Sequence, residues 1–218
     1  MPASTPARRP LKTRNAAWAR AVARRLSALG VSPNAISVAS LGFALAGAAS
    51  MMSAAQASTP GTLATLLIVA AACIQLRLLC NMLDGMVAVE GGLATSSGAV
   101  FNELPDRLAD PLLIVPTGYL TGYAWGPEIA WAAALLALLT ANVRTLGGSL
   151  GLKEDFRGPM AKPHRMAAMT LGLLLAALGA PSGLAGLVLL LTLAVVLLGT
   201  ALTVARRTRA ILLALEAR

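Results

Sequence analysis

Six apolar runs, each near the length of a bilayer-crossing helix, leave this chain little choice of architecture. They fall at residues 34–56, 61–83, 104–124, 126–147, 166–181 and 182–204. A membrane core takes about 20 helical residues at about 1.5 Å rise each. It also admits only backbones that satisfy their own N–H and C=O groups. Only 12% of the 218 residues are charged and 57% are hydrophobic, where a soluble domain carries about 25% charged residues. The expectation is an all-α polytopic membrane protein with six transmembrane helices. The run at 166–181 is the shortest, and Pro181-Ser182-Gly183 divides it from the last.

Charge placement supports the same count. Basic residues gather from Arg8 to Arg25, from Arg144 to Arg165, and from Arg206 onward. Six spans put all three groups on one side, which the positive-inside rule makes cytoplasmic. The loops at 57–61, 122–128 and 179–184 then face outward with Glu128 as their one charge. Both termini are then expected in the cytoplasm. The net charge of +9 therefore reads as topology plus attraction to anionic lipid. Nucleic-acid binding is a poor reading, because the cations flank spans and lack interleaved aromatics. No secretory signal is visible. Cys73 and Cys80 are too far apart along one helix to bridge, and no Cys or His spacing suits a metal.

Four segments follow. Residues 1–13 read as a disordered basic N-terminus, and 14–30 as an amphipathic interfacial helix. In that helix Trp18, Val22, Leu26 and Leu29 share a face opposite Arg20 and Arg24, with Arg25 intruding on the apolar side. Residues 31–206 form the six-helix domain, and 207–218 a basic cytoplasmic tail. Ser32-Pro33-Asn34 precedes the first span, and Gly91-Gly92 turns the chain after the second. The third span, opening near Ser96 or Ser97, carries Pro105, Pro111 and Pro116, which predicts a kinked helix beside a hydrated or protein-lined space.

Four acids interrupt these runs: Asp84, Glu103, Asp106 and Asp110. Ionisable groups in a bilayer cost several kcal/mol unless paired, hydrated or metal-bound, so they mark function by default. Helical spacing puts Asn81, Asp84 and Ala88 on one face, and Gly98, Asn102, Asp106 and Asp110 on another. A short turn joins the two helices, so the faces are expected to meet in an antiparallel pair. Gly85 and Gly98 would permit close approach. The product is an oxygen cluster near the cytoplasm, the chemistry a hard divalent cation takes. Structural readings stand beside these. Glu103 and Arg107 suit an i,i+4 pair, and Asp106 could pair with Arg77 or Arg107. Asp110 is either a metal ligand or a counter-ion, and Arg77 a buried counter-ion. Asn81 and Asn102 could serve helix packing, and Arg144, Lys162 and Arg165 the positive-inside rule alone. His164 reads as a bystander.

The same residues resemble the CDP-alcohol phosphatidyltransferase family, whose pattern is D-x2-D-G-x2-A-R-x8-G-x3-D-x3-D. Asn81, Asp84, Gly85, Ala88, Val89, Gly98, Asn102 and Asp106 fall on it without a gap. Pro33-Asn34 resembles the family's approach to its first span, and Arg144, Gly158, Lys162 and Arg165 its basic linker. The likeness covers roughly residues 31–165. Asn81 and Asn102 replace the first and third Asp, and Val89 replaces the Arg. Each amide removes a negative charge while keeping a carbonyl ligand, which weakens metal binding or leaves one ion instead of two. Glu103 and Asp110 are placed to compensate.

The resemblance implies transfer of a phosphatidyl group from CDP-diacylglycerol to an alcohol acceptor, with release of CMP. It implies one or two Mg2+ or Mn2+ ions on Asn81, Asp84, Asn102, Asp106 and Asp110, with Asp106 the catalytic base. CDP would lie on Asp84, Gly85, Ala88 and Gly98. Arg144, Lys162 and Arg165 would hold phosphate or acceptor, and the protein would be a homodimer among membrane lipids. The alternative is a catalytically impaired relative that binds nucleotide or lipid and regulates a partner. A small cation carrier with an acidic intramembrane site is a third reading, opposed by the missing repeat.

Overall fold

The structure, a computed structural model, describes residues 16–93 and 95–218, apart from the Glu90 side chain. The expected disorder at 1–13 and the start of the interfacial helix lie outside the described residues. Seven α-helices follow: α1 Ala17–Ala28, α2 Pro33–Ala54, α3 Pro60–Glu90, α4 Gly98–Tyr119, α5 Gly126–Ser149, α6 Lys162–Gly179 and α7 Ala185–Glu216. A 3-10 turn, Ala180–Ser182, links α6 to α7. The described residues contain no strand.

Local chemistry sets these limits. Ser32 and Thr59 cap α2 and α3 by accepting from the backbone N–H of Ala35 and Thr62 at 3.2 and 3.1 Å. Each is followed by proline at the first helical position, where the missing N–H costs nothing. Beyond α3, Gly92 turns the chain at φ +65°, a conformation that penalises any Cβ. α4 runs unbroken through its three internal prolines. Basic residues after Val204 do not leave the helix, because α7 continues to Glu216.

Among the described residues, five helices are long and apolar enough to cross a membrane: α2, α3, α5, α6 with its following turn, and α7. α4 is 22 residues long, yet carries Glu103, Asp106, Arg107 and Asp110 among its first thirteen. Contacts close a circuit in the order α2, α3, α6, α7, α5, α4 and back to α2. One expectation changes here. α3 and α4 do not pack as an antiparallel pair, for they touch only marginally, and α2 packs against both. Their polar faces instead meet side chain to side chain across the inside of the circuit.

Small residues allow this packing, as expected where lipid supplies no hydrophobic drive between helices. A Cβ on Gly118 of α4 would lie 2.6 Å from the Ala130 Cβ and 2.7 Å from the Gly126 carbonyl oxygen of α5. Met51, Leu67, Ile74, Leu113, Met169 and Leu193 fill the apolar half of the core. α1 leans on the outside, burying Ala19 and Ala23 against Ile36 and against Met82, Leu83, Met86 and Val87 of α3. Trp18, Val22 and Leu29 are exposed, as are Arg20, Arg24 and Arg25, so Arg25 does not reach into a cavity. Gly118→Ala is expected to cost about 1–3 kcal/mol through overpacking. Gly42→Ala, with nothing within 4 Å of the added methyl, should be neutral or mildly stabilising. Thermal unfolding of both variants in detergent checks the contrast.

Candidate active site

A cavity of about 300 Å³ opens at the end of the bundle where α3, α5 and α7 finish and α4 and α6 begin. Its walls include Asn81, Asp84 and Gly85 of α3, Asn102, Glu103, Asp106 and Asp110 of α4, and Arg144 of α5. Lys162 and Arg165 come from the first turn of α6, and Arg207 from α7. Nine of the eleven residues singled out in sequence for metal, CDP or phosphate thus share one wall-lined space. Ala88 and Gly98 are not among the lining residues.

The floor is an ion network. Arg77, wholly buried, donates from Nη2 to Asp106 Oδ1 at 3.3 Å and to Asp110 Oδ1 at 3.1 Å. Its Nε and Nη1 have no partner. The Arg165 guanidinium clasps the other oxygen of Asp110 and also donates to the Met160 carbonyl at 3.0 Å. Asp110 is 4% exposed, and both its oxygens are engaged, which places it as a counter-ion. Above it, Asp106 keeps a quarter of its side chain open, at 24%. It receives the Lys162 ammonium, Arg77, and the Asn81 amide Nδ2 at 2.7 Å.

Asp84 is held differently. Its Oδ2 lies 2.6 Å from Ser37 Oγ on α2, and its Oδ1 accepts from the Gly85 backbone N–H at 2.5 Å. Sequence reasoning missed Ser37. The available signal was a serine, one turn after Pro33, within the first turns of an apolar span. Asn102 is exposed at the cavity wall.

The rim is set by Arg144. Its Nη2 donates to both Glu103 oxygens at 2.7 Å, its Nη1 to Glu154 Oε2 at 2.6 Å, and its guanidinium lies 5.2 Å over the Phe156 ring. Glu103 also pairs with Arg107 at 3.5 Å, the expected i,i+4 contact. The link between α5 and α6 is anchored on α7: the Met160 N–H donates to Thr203 Oγ1 at 3.0 Å, and Arg207 Nε to the Arg157 carbonyl at 2.8 Å. Gly158 makes this possible, at φ +135° against the Thr203 side chain. Arg144, Lys162 and Arg165 are therefore helical and partly or fully buried, at the two ends of the basic segment that the resemblance assigned to phosphate or acceptor. Glu154, Phe156 and Arg207 were not singled out: the basic tail gave Arg207 a topological role, and no spacing marked Glu154 or Phe156. His164 is exposed and absent from the cavity wall.

Whether these residues suit a divalent cation depends on their donors. Among the described residues, no three His, Cys, Asp or Glu side chains converge as a metal group. Two carboxylates, Asp84 and Asp106, and two amides, Asn81 and Asn102, do share the cavity. That set is all oxygen, and each carboxylate has lone pairs beyond those already used, so it fits one hard cation such as Mg2+ or Mn2+.

No family model matches the sequence, and no curated protein resembles it by sequence. Solved structures do match. Phosphatidylinositol phosphate synthase of Mycobacterium tuberculosis with CDP-DAG bound has a TM-score of 0.69 and 19% identity, covering 90% of this chain and 94% of its own. The same enzyme in complex with manganese and citrate gives 0.69 and 19%, covering 88% of each chain. Its apo form gives 0.67 and 18%, with 88% of this chain and 94% of that one.

Removing one member of a buried ion network leaves the others uncompensated, at about 3–5 kcal/mol. Asp110→Ala strips Arg165 of its carboxylate and is expected to destabilise by that amount. Asp106→Ala leaves Arg77 on Asp110 and should cost clearly less, as thermal unfolding in detergent would register. Coverage of about nine-tenths of both chains makes the shared feature the whole helical frame: this chain has the fold of the phosphatidylinositol phosphate synthase structures.

Proposed function

We propose that this chain is a membrane-embedded phosphatidyltransferase that moves a phosphatidyl group from CDP-diacylglycerol to an alcohol acceptor and releases CMP. The observation that carries this reading is the meeting of Asp84, Gly85, Asn102 and Asp106 on one cavity, inside a fold also found with CDP-DAG bound. The ungapped motif register in the sequence supports it independently. In this reading α4 is a sixth span, made tolerable because its acids are paired inside the bundle. All six spans place the cavity on the cytoplasmic side, α1 lies at the headgroup level with Trp18 toward lipid, and the protein is a homodimer.

The hydroxyl oxygen of the acceptor attacks the phosphorus bearing diacylglycerol. A P–O bond forms there, and the bond from that phosphorus to the bridging oxygen breaks, so that CMP departs with the electron pair. Asp106, partly open on the cavity, takes the proton. Asp84, Asn81, Asn102 and Asp106 would hold a divalent ion, which supplies charge neutralisation at the pyrophosphate. Asp110 fixes Arg77 and Arg165 beneath them, which keeps Asp106 in register. Gly85 lets the nucleotide approach the α3 backbone. Lys162 and Arg165 lie on the phosphate side, and Arg144 borders the acceptor end with Glu103 and Phe156.

CMP formation from CDP-diacylglycerol, followed across a panel of alcohols with Mg2+ or Mn2+, tests this. The wild type should turn over, and Asp106→Asn should lose roughly 10²–10⁴-fold. A folded wild type without turnover, which gains it in Asn81→Asp/Asn102→Asp, would establish the impaired regulatory relative instead.

A further inference from the structure

Asp106 and Asp110 are ion-paired with three cations, Arg77, Lys162 and Arg165, while the third acid, Asp84, is held by Ser37 and the Gly85 N–H in the same cavity. Formal charges of these six residues, three carboxylates and three cations, sum to zero before any ligand arrives. The cations differ in freedom. Arg77 and Arg165 are 0% and 2% exposed and locked on Asp110, whereas the Lys162 side chain is 27% exposed and held by Asp106. A divalent ion added to a neutral cluster would leave it two charges positive, beside two buried guanidiniums that cannot withdraw.

We propose that Lys162 keeps the cation's place on Asp106 and yields it only when a pyrophosphate arrives, so that divalent ion and CDP-lipid load together. A lysine is a mobile point charge on a flexible stem, suited to exchange one anion for another. The ion takes the Asp106 oxygen, the displaced ammonium moves to phosphate, and the two negative charges of a CDP-diester restore neutrality. Asn81 contributes to the same end. With an amide there, the cluster lacks the fourth carboxylate that would bind the ion unaided, and its NH2 is spent on Asp106 at 2.7 Å. This inference rests on the transferase reading and adds to it an order of loading.

Thermodynamic linkage makes the coupling measurable without turnover, because each ligand must tighten the other by the same factor. Mn2+ binding to the purified full chain in detergent is followed by electron paramagnetic resonance, with and without CDP and corrected for the Mn2+–CDP complex in solution. CDP is expected to tighten Mn2+ by roughly 5- to 150-fold, the usual range for linked sites. Lys162→Met should bind Mn2+ alone more tightly and lose most of that enhancement. Asn81→Asp supplies the same test without touching Lys162, and should bind Mn2+ tightly with no nucleotide. Equal Mn2+ affinity with and without CDP, or unchanged coupling in Lys162→Met, would overturn the inference and leave the transferase reading standing. Failure of Asn81→Asp to raise nucleotide-free affinity would overturn the charge-balance argument in the same way. No CDP binding at any Mn2+ concentration would overturn both.

Discussion

Everything at the cavity depends on Asp110 holding two buried guanidiniums, Arg77 from α3 and Arg165 from α6. In a low-dielectric interior each charge alone would be expensive, and only mutual pairing with good geometry offsets the loss of water. The pairing does more than neutralise. It ties α4 to α3 and α6 at the point where α3 and α4 barely pack, and it sets the floor on which Asp106 rests. A helix with four charges can belong to an apolar bundle only on such terms.

The polar network and the small-residue packing are complementary solutions to one problem. Away from the cavity, Gly118 and the alanines at the α4–α5 contact bring helices close with no polar atoms to satisfy. At the cavity, helices stand apart and charged side chains bridge the gap. The linker from α5 to α6 then closes the rim through Glu154 and Phe156 on Arg144, anchored by Thr203 and Arg207 of α7. Every helix of the circuit therefore contributes a residue to the site or its anchoring, which explains why a contiguous motif accounts for only part of it.

The sequence made the frame legible because bilayer length and charge asymmetry are coarse, robust signals. The break at Pro33 before the first span, the turn at Gly92, and the Glu103–Arg107 pair followed from local spacing. Residues on α3 and α4 were recoverable because helical periodicity places them on faces. What escaped was partnership across helices. Ser37 meets Asp84 over 47 residues of chain, and Arg207 meets Thr140 over 67, distances at which periodicity carries no information. The α3–α4 relation was misjudged for the same reason: a short connection suggested direct packing, but α2 supplies the larger contact to both. Arg144, Lys162 and Arg165 were expected to hold phosphate or acceptor only through the resemblance, because topology alone also explains basic residues beside spans. Only folding shows them turned inward onto carboxylates.

The proposed cation site is shared by Asp84 and Asp106 and guarded by Lys162. Anomalous diffraction from crystals of the chain grown with Mn2+ and CDP addresses this most directly. The account predicts one manganese peak touching both carboxylates, with the Lys162 ammonium moved from Asp106 to phosphate. A peak elsewhere, or none while Lys162 remains on Asp106 beside bound nucleotide, would contradict it.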